Sequence, residues 1–380
     1  MIYLDNSATT KMDPEVLEAM LPYLQDEFGN PSSIHQLGRR ARVAVENARE
    51  EIAHLIGAHP SEVIFTSGGT EANNAVIKSC CFESDLVDRV VCSSIEHPSV
   101  LRPVETAGRL GRDIATIPVD SQGFVRLDAI EQWNDRRTLI SVMHANNEIG
   151  TIQPVEKIRT LCPDALLHTD AVQSLGKIPF RVDHLGIDFA TFSAHKLHGP
   201  KGIGALYVRR GIPFKAHQEG GSQERNRRAG TEAVALIVGF QVAVRKAITE
   251  LEHRQRRMTQ LRDLLRALLA EKVPGVVFHT PVENVLPNIL HIGFEDGDRL
   301  DGDALLLALD MQGIAVSSGS ACSAGTIQVS HVMKALGKSG PAAKAVIRFS
   351  LSKDTTEEEI RTAVETLAAI VEEMRMAQHV

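Results

Sequence analysis

Through the first two thirds of the chain, short apolar runs rich in β-branched residues alternate with longer stretches of helical spacing. Val63-Ile64-Phe65-Thr66, Arg89-Val90-Val91-Cys92 and Thr138-Leu139-Ile140-Ser141-Val142 read as short buried strands, each bounded by turn residues. So do Ala165-Leu166-Leu167-His168, Asp188-Phe189-Ala190-Thr191-Phe192 and Ile203-Gly204-Ala205-Leu206-Tyr207-Val208. Helix starts fall between several of them. Asp13-Pro14-Glu15 offers an N-cap, a proline at the first turn and a carboxylate near the positive end. Strands alternating with helices predict an α/β fold with a mainly parallel sheet covered on both faces.

The pattern changes from Glu250 to Lys272, where Leu251, Met258, Leu261, Leu264, Leu265, Leu268 and Leu269 recur at helical spacing among many charges. This predicts a long surface helix linking a large lobe to a C-terminal one. Thr356-Glu357-Glu358-Glu359 is a capping box opening a last helix. No internal repeat, low-complexity tract or linker interrupts the chain. Its 380 residues exceed what one core usually holds, so two lobes in one compact unit are expected.

Composition narrows the classes. Apolar residues at 43% and charged residues at 23% describe an ordinary water-soluble protein. A net charge of −7 argues against nucleic acid or an anionic membrane as the main partner, since both need a basic face. Arg225, Arg227 and Arg228 are the one candidate for a local basic patch. Met1-Ile2-Tyr3-Leu4-Asp5 lacks the basic and apolar segments of a signal peptide. The longest nearly apolar run, Ala233 to Val244, is too short for a bilayer and suits a buried helix. Five cysteines without C-x-x-C spacing predict neither a disulfide framework nor a zinc site, and a reducing cytoplasm is the simplest location.

In open α/β sheets ligands bind beyond the carboxyl ends of the strands, so the residues directly after each strand are informative. After Thr66 comes Ser67-Gly68-Gly69-Thr70, where close backbone approach and a helix start would suit a phosphate, although such turns are also common structural connections. Asp170 follows the strand near Leu167; it serves either as a helix N-cap or as the partner of a heterocyclic nitrogen, with Gln173 three residues on. Ser193-Ala194-His195-Lys196 comes after another strand. Lysines normally end in solvent, but one desolvated at a sheet's mouth has a lowered pKa and forms a Schiff base. Lys201 is the weaker candidate. His195 and His198 lack a carboxylate at metal-site spacing, so no metal is expected. Cys322, within Ser317-Ser318-Gly319-Ser320-Ala321-Cys322-Ser323-Ala324-Gly325, sits among small residues and reads as a reactive loop thiol; Cys80, Cys81, Cys92 and Cys162 lie in or beside apolar elements and read as buried.

With these motifs stand Tyr3-Leu4-Asp5-Asn6-Ser7-Ala8-Thr9-Thr10, Glu96-His97, Met143-His144-Ala145-Asn146-Asn147-Glu148-Ile149-Gly150, Arg228-Ala229-Gly230-Thr231-Glu232 and Arg348-Phe349-Ser350-Leu351. Together, and in this order, they resemble the cysteine desulfurases of the NifS/IscS group, which use pyridoxal 5′-phosphate (PLP) and have the fold-type I aminotransferase-like architecture. The resemblance implies a large domain over 15–250 with a mainly parallel seven-stranded sheet. It also implies a smaller α+β domain from 1–14 and 251–380. Sulfur would pass from L-cysteine to Cys322, leaving alanine and a persulfide for an iron–sulfur scaffold or a tRNA-thiolation carrier.

Residue roles come from the same resemblance. Lys196 would hold PLP as a Schiff base and carry the substrate's α-proton. His97 would stack on the ring and assist proton transfer, and Asp170 would pair with the pyridinium nitrogen. Gln173 and Asn146 would bond near the phenolic oxygen and the substrate. Thr70 beside Gly69, with Ser193 and His195, would hold the phosphate, joined by Thr231 from a second subunit of a homodimer. Arg348 would clamp the substrate carboxylate, a task its planar fork suits. Val329 stands where long-loop members commonly have proline. The sequence ends at Gln378-His379-Val380, without the extended tail by which some members dock a scaffold, which leaves the acceptor open. A plain aminotransferase, a relative preferring selenocysteine or cysteine sulfinate, and a silent scaffold-binding protein are the competing readings. Cys322 argues against the first, and the set Lys196, Asp170, His97 and Cys322 against the last.

Overall fold

The computed structural model describes residues 1–319 and 329–377. Twelve strands are found among them: β1 (Ile2–Tyr3), β2 (Val63–Thr66), β3 (Arg89–Ser93), β4 (Asp113–Ile117), β5 (Thr138–Ser141), β6 (Leu166–Asp170), β7 (Phe189–Ser193), β8 (Gly204–Val208), β9 (Val276–Phe278), β10 (Ile289–Phe294), β11 (Ile314–Ala315) and β12 (Ile347–Ser350). β2 to β8 form a seven-stranded sheet in the order β2-β8-β7-β6-β5-β3-β4. β8 runs antiparallel to both neighbours and every other pairing is parallel, so the sheet is mostly parallel, as the alternation predicts.

The near-continuous apolar runs conceal a period of two. Phe65, Val91, Ile140, Leu167, Phe192 and Tyr207 enter one core, against the helices Pro14–Gln25, Gln36–Ile56 and Val234–Thr249. Their neighbours Ile64, Val90, Cys92, Leu139, Phe189, Leu206 and Val208 enter another, against Gly69–Lys78 and Pro98–Arg109. A strand buried on both faces needs apolar residues at both alternating positions. Asp13 caps the first helix by accepting the Glu15 N–H at 3.0 Å, with Pro14 next in the chain.

A further core gathers Leu4, Leu261, Leu265 and Leu269 with Ile292, Phe294, Ile347, Phe349, Ile360 and Leu367. It lies between the helices Leu251–Lys272 and Glu357–Ala377 and the antiparallel sheet β9-β10-β12. The capping box is made in full: Thr356 Oγ1 accepts the Glu359 N–H at 3.2 Å, and Glu359 Oε2 accepts the Thr356 N–H at 2.8 Å. The amino terminus reaches this region because β1 pairs with β11 and Asp5 bridges to Ser350. Residues 5–10 then run along the carboxyl edge of the large sheet. Among the described residues no helix is long and apolar enough to cross a membrane.

Candidate active site

β2, β3, β6 and β7 are mutually parallel, so the segments after Thr66, Ser93, Asp170 and Ser193 all open on one edge of the sheet. The first is the glycine turn. Gly68 has a φ of 149°, a conformation that favours glycine, and a Cβ on Gly69 would lie 2.8 Å from Val172 Cγ2. The turn is therefore lined by backbone. The first helical bond of Gly69–Lys78 runs from the Ala72 N–H to Gly68 O, so the N–H groups of Gly69, Thr70 and Glu71 precede the ladder at the positive end of the dipole. Glu71 is fixed by two bonds from Arg228 at 2.8 and 3.1 Å and accepts the Ser67 N–H at 2.7 Å. Thr70 is exposed at the mouth, and buried Ser193 lies across the turn, its Oγ 3.8 Å from a Cβ placed on Gly68.

Lys196 lies just past β7. Its Nζ donates to Ser7 O at 2.6 Å and Ala8 O at 2.7 Å. Burial pushes its pKa down to about 8; Arg348 adds to the fall, and Asp5 and Asp170 oppose it. Neighbouring His195 is driven to about 4 by burial and by Lys196, with its Nδ1 3.1 Å from Thr9 Oγ1. It is a neutral ring at pH 7.

Asp170 ends β6 with both carboxylate oxygens engaged: Oδ1 accepts the Val172 N–H at 3.0 Å, while Oδ2 accepts from Asn73 Nδ2 at 2.7 Å. Asn73 also donates to Ser99 Oγ at 2.8 Å, and that hydroxyl is 2.7 Å from His97 Nδ1. His97 Nδ1 further accepts the Ser99 N–H at 3.1 Å. A backbone N–H can only donate, so neutral His97 carries its proton on Nε2. The His97 ring reaches the surface, yet desolvation by its surroundings is the main cause lowering its pKa; Asp170 opposes this, and Lys196 and His331 add to it. Buried Gln173 donates from Nε2 to Ser7 O at 3.0 Å, the same oxygen that Lys196 engages. Lys196, Asp170, His97 and Gln173 thus converge, tied together through Ser7 and Asn73.

Other candidates are placed differently. Arg348 is buried on β12, but its Nη2 donates to Asp5 Oδ1 at 2.6 Å and its Nη1 to Asn147 O at 2.9 Å. Among the described residues its buried Nε has no hydrogen-bond partner. Asn146 is committed to the backbone: Oδ1 accepts the N–H groups of Glu148 and Ile149 at 2.9 and 3.0 Å, and Nδ2 donates to Ile95 O at 3.1 Å. In this structure it holds the turn beyond β5. Thr231 is exposed, and among the described residues it makes no hydrogen bond to the other site residues. Cys322 lies outside the described residues. Cys80, Cys81, Cys92 and Cys162 are buried free thiols, as their apolar settings predict.

Three contributors escape a reading by strand ends. Asp5 lies 343 positions from Arg348, Asn73 is one of two adjacent asparagines, and Lys177 is a lysine four residues past Gln173. Only the i,i+4 spacing of Gln173 and Lys177 left a local signal.

Residues 2–362 match the family described as aminotransferase class-V. The chain is 45% identical over 378 residues to the cysteine desulfurase IscS of Dictyoglomus turgidum, covering 98% of this chain and 95% of that one. It is 42% identical over 378 residues to the cysteine desulfurase NifS of Azotobacter vinelandii, with 98% and 93% covered. Among solved structures, a NifS-like protein superposes with a TM-score of 0.90 at 39% identity, covering 98% of this chain and 99% of that one. With identity sustained over almost all of both chains, and with the lysine, aspartate and glycine turn gathered at one sheet edge, the chain belongs to the NifS/IscS cysteine desulfurases of the aminotransferase class-V family.

Proposed function

We propose that this chain removes sulfur from L-cysteine in a PLP-dependent reaction, with Lys196 and Asp170 as the residues that hold and polarise the cofactor. The observation that carries the reading is the convergence of a lysine of lowered pKa with a buried carboxylate at the ends of adjacent parallel strands. Relatives named cysteine desulfurases at 45% and 42% identity supply the substrate.

The residues present fit PLP. The Gly68-Gly69 turn and the N–H groups that precede the ladder of the helix after it make a dianion's cradle, to which Thr70, Ser193 and neutral His195 add donors. Asp170 supplies the carboxylate partner for a protonated ring nitrogen, and Asn73 and the Val172 N–H hold it in place. Bound there, the cofactor supplies an electron sink for the substrate's α-carbon. Lys196 would hold it through Nζ, and the same amine would serve as the base for the α-proton. His97 presents its Nε2 proton to the site. The Gln173 Nε2 donor serves the phenolic oxygen.

Arg348 is the fork for the substrate carboxylate, which would compete with Asp5 for it. Asn146 enters through the turn it shapes beside Arg348, whose Nη1 bonds Asn147 O. The Cys322 thiolate attacks the substrate sulfur: an S–S bond forms, the C–S bond breaks, and the three-carbon product takes up protons to leave as alanine. Thr231 from a second subunit, a homodimer, a protein acceptor for the persulfide sulfur and a cytoplasmic location complete the reading. The four buried free thiols suit the last. The separate apolar core of 261–371 with Leu4 supports a small domain of residues 1–14 and 251–380 beside a large one of 15–250.

The test compares the wild type with Cys322→Ala on L-cysteine, following alanine and sulfide under reductant with the cofactor spectrum recorded. Both proteins are expected to bind PLP and only the wild type to form sulfide. Equal turnover by the variant would make the loop thiol incidental and favour a transaminase or another lyase.

A further inference from the structure

Lys177 is a lysine that the fold buries. It is 6% exposed, and its Nζ donates to two oxygens, Gln173 O at 3.2 Å and Gln173 Oε1 at 3.1 Å, both of one residue. No ion pair with a carboxylate is found for it among the described residues. Burying an ammonium without a counter-charge is costly, and burial with the nearby Lys196 lowers its pKa to about 7. An apolar side chain of the same length would fill the space at no such cost, so the amine has a use.

That use lies in the chemistry of a carboxamide. The two ends of a glutamine amide are alike in shape and opposite in hydrogen bonding, and the surroundings decide which end faces where. Nζ donates to both Gln173 oxygens, and the Ser7 carbonyl on the far side can only accept, so the amide atom beside the lysine is oxygen. The opposite end must then be Nε2. It donates at 3.0 Å to Ser7 O, to which Lys196 Nζ also donates at 2.6 Å. A flipped amide would set oxygen against the Ser7 carbonyl, a repulsion in place of a bond, and would take Oε1 away from the lysine's N–H. Lys177 and Lys196 also line one cavity of about 20 Å³, together with Thr10, His198, Arg254 and Lys353. The amine therefore stands directly behind the site.

We infer that Lys177 is a positioning residue, which holds Gln173 so that the edge of its amide facing Lys196 is a hydrogen-bond donor, matched to an anionic oxygen on the bound cofactor. The inference rests on the reading above, in which Gln173 meets the phenolic oxygen of PLP. A donor there favours the deprotonated form of the bound cofactor. Loss of the donor raises the pH midpoint of its visible absorption.

The experiment titrates that absorption in the wild-type holoenzyme and in Lys177→Met, Lys177→Arg, Gln173→Leu and the Lys177→Met/Gln173→Leu double variant. Lys177→Met is expected to raise the midpoint by about one to two pH units, the equivalent of one hydrogen bond to a charged group. Gln173→Leu should raise it alike, the double variant no further than Gln173→Leu alone, and Lys177→Arg, still a donor only, should keep the wild-type value. A midpoint unchanged by Lys177→Met, or shifts that add in the double variant, would overturn the inference. Lys177→Gln passes through the same cycle should the Met variant not fold, and a shift undiminished by Gln173→Leu is again the refuting result. A wild type that binds no PLP, or a Lys196→Ala variant with the wild-type spectrum, would instead refute the functional reading itself.

Discussion

Lys196 must be unprotonated to attack an aldehyde, so its lowered pKa has a measurable consequence before any turnover. At pH 7 an amine with a pKa of about 8 is about 9% neutral, against about 0.03% for an ordinary lysine at 10.5. Lys196 should therefore capture PLP roughly 300-fold faster at pH 7 than a surface lysine of equal intrinsic reactivity. The assay adds PLP to apoprotein across pH 6–10 and follows the visible absorbance by stopped flow, with Lys196→Ala as the blank. The rate should climb about tenfold per unit below the midpoint and flatten above pH of about 8. The charges around Nζ give the test a sign. Arg348→Gln removes the cation that helps lower the pKa and moves the midpoint up; Asp170→Asn removes a carboxylate that opposes the fall and moves it down. A rate still rising tenfold per unit through pH 9.5 would refute the assignment of a desolvated lysine. A downward shift in Arg348→Gln or an upward shift in Asp170→Asn would refute the electrostatic account.

Arg348→Lys keeps the charge but loses the fork, and should raise KM for L-cysteine about 10- to 100-fold with a smaller change in kcat, read from steady-state kinetics. Glu224 and Arg49 form a buried pair at 2.6 and 2.9 Å, so Glu224→Ala should cost about 3–5 kcal/mol in urea unfolding, and Arg49→Met in the same background should recover part of it. Glu96 is fully buried, one of its carboxyl oxygens has no partner among the described residues, and burial lifts its pKa from 4.5 to about 8. The folded state then binds more protons than the unfolded chain between those values, and stability falls as pH rises through that window. Glu96→Gln should flatten this slope in thermal melts between pH 5 and 8; an unchanged slope would mean that the carboxyl is not the group titrating.

Much of the large sheet was legible because its strands are short, apolar and bounded by turns; six of its seven appear within two residues of the predicted ends. β4 was missed. It is an edge strand with Asp113, Ile114 and Thr116 facing solvent, so no burial imposes a pattern on it. β10 was missed for the opposite reason: all six residues are buried, but His291 and Gly293 interrupt the apolar run. His291 is accommodated by a bond to His279, which no local pattern reports.

The sequence by itself determined the α/β alternation, the capping of the helices at Asp13 and Thr356, and the lysine and aspartate placed directly after strands, because these depend on neighbours within a few residues. Only the tertiary structure decided the company those residues keep. The carbonyl of Ser7 joins Lys196 to Gln173 across more than 160 positions, and Asp5 reaches Arg348 across 343. The amide of Asn146 turns inward to its own backbone, and Lys177 is sealed behind Gln173. Periodicity states which face of an element is buried. Which elements meet there depends on strand order and on the return of the amino terminus to the sheet edge, and these are settled by the burial of the whole chain.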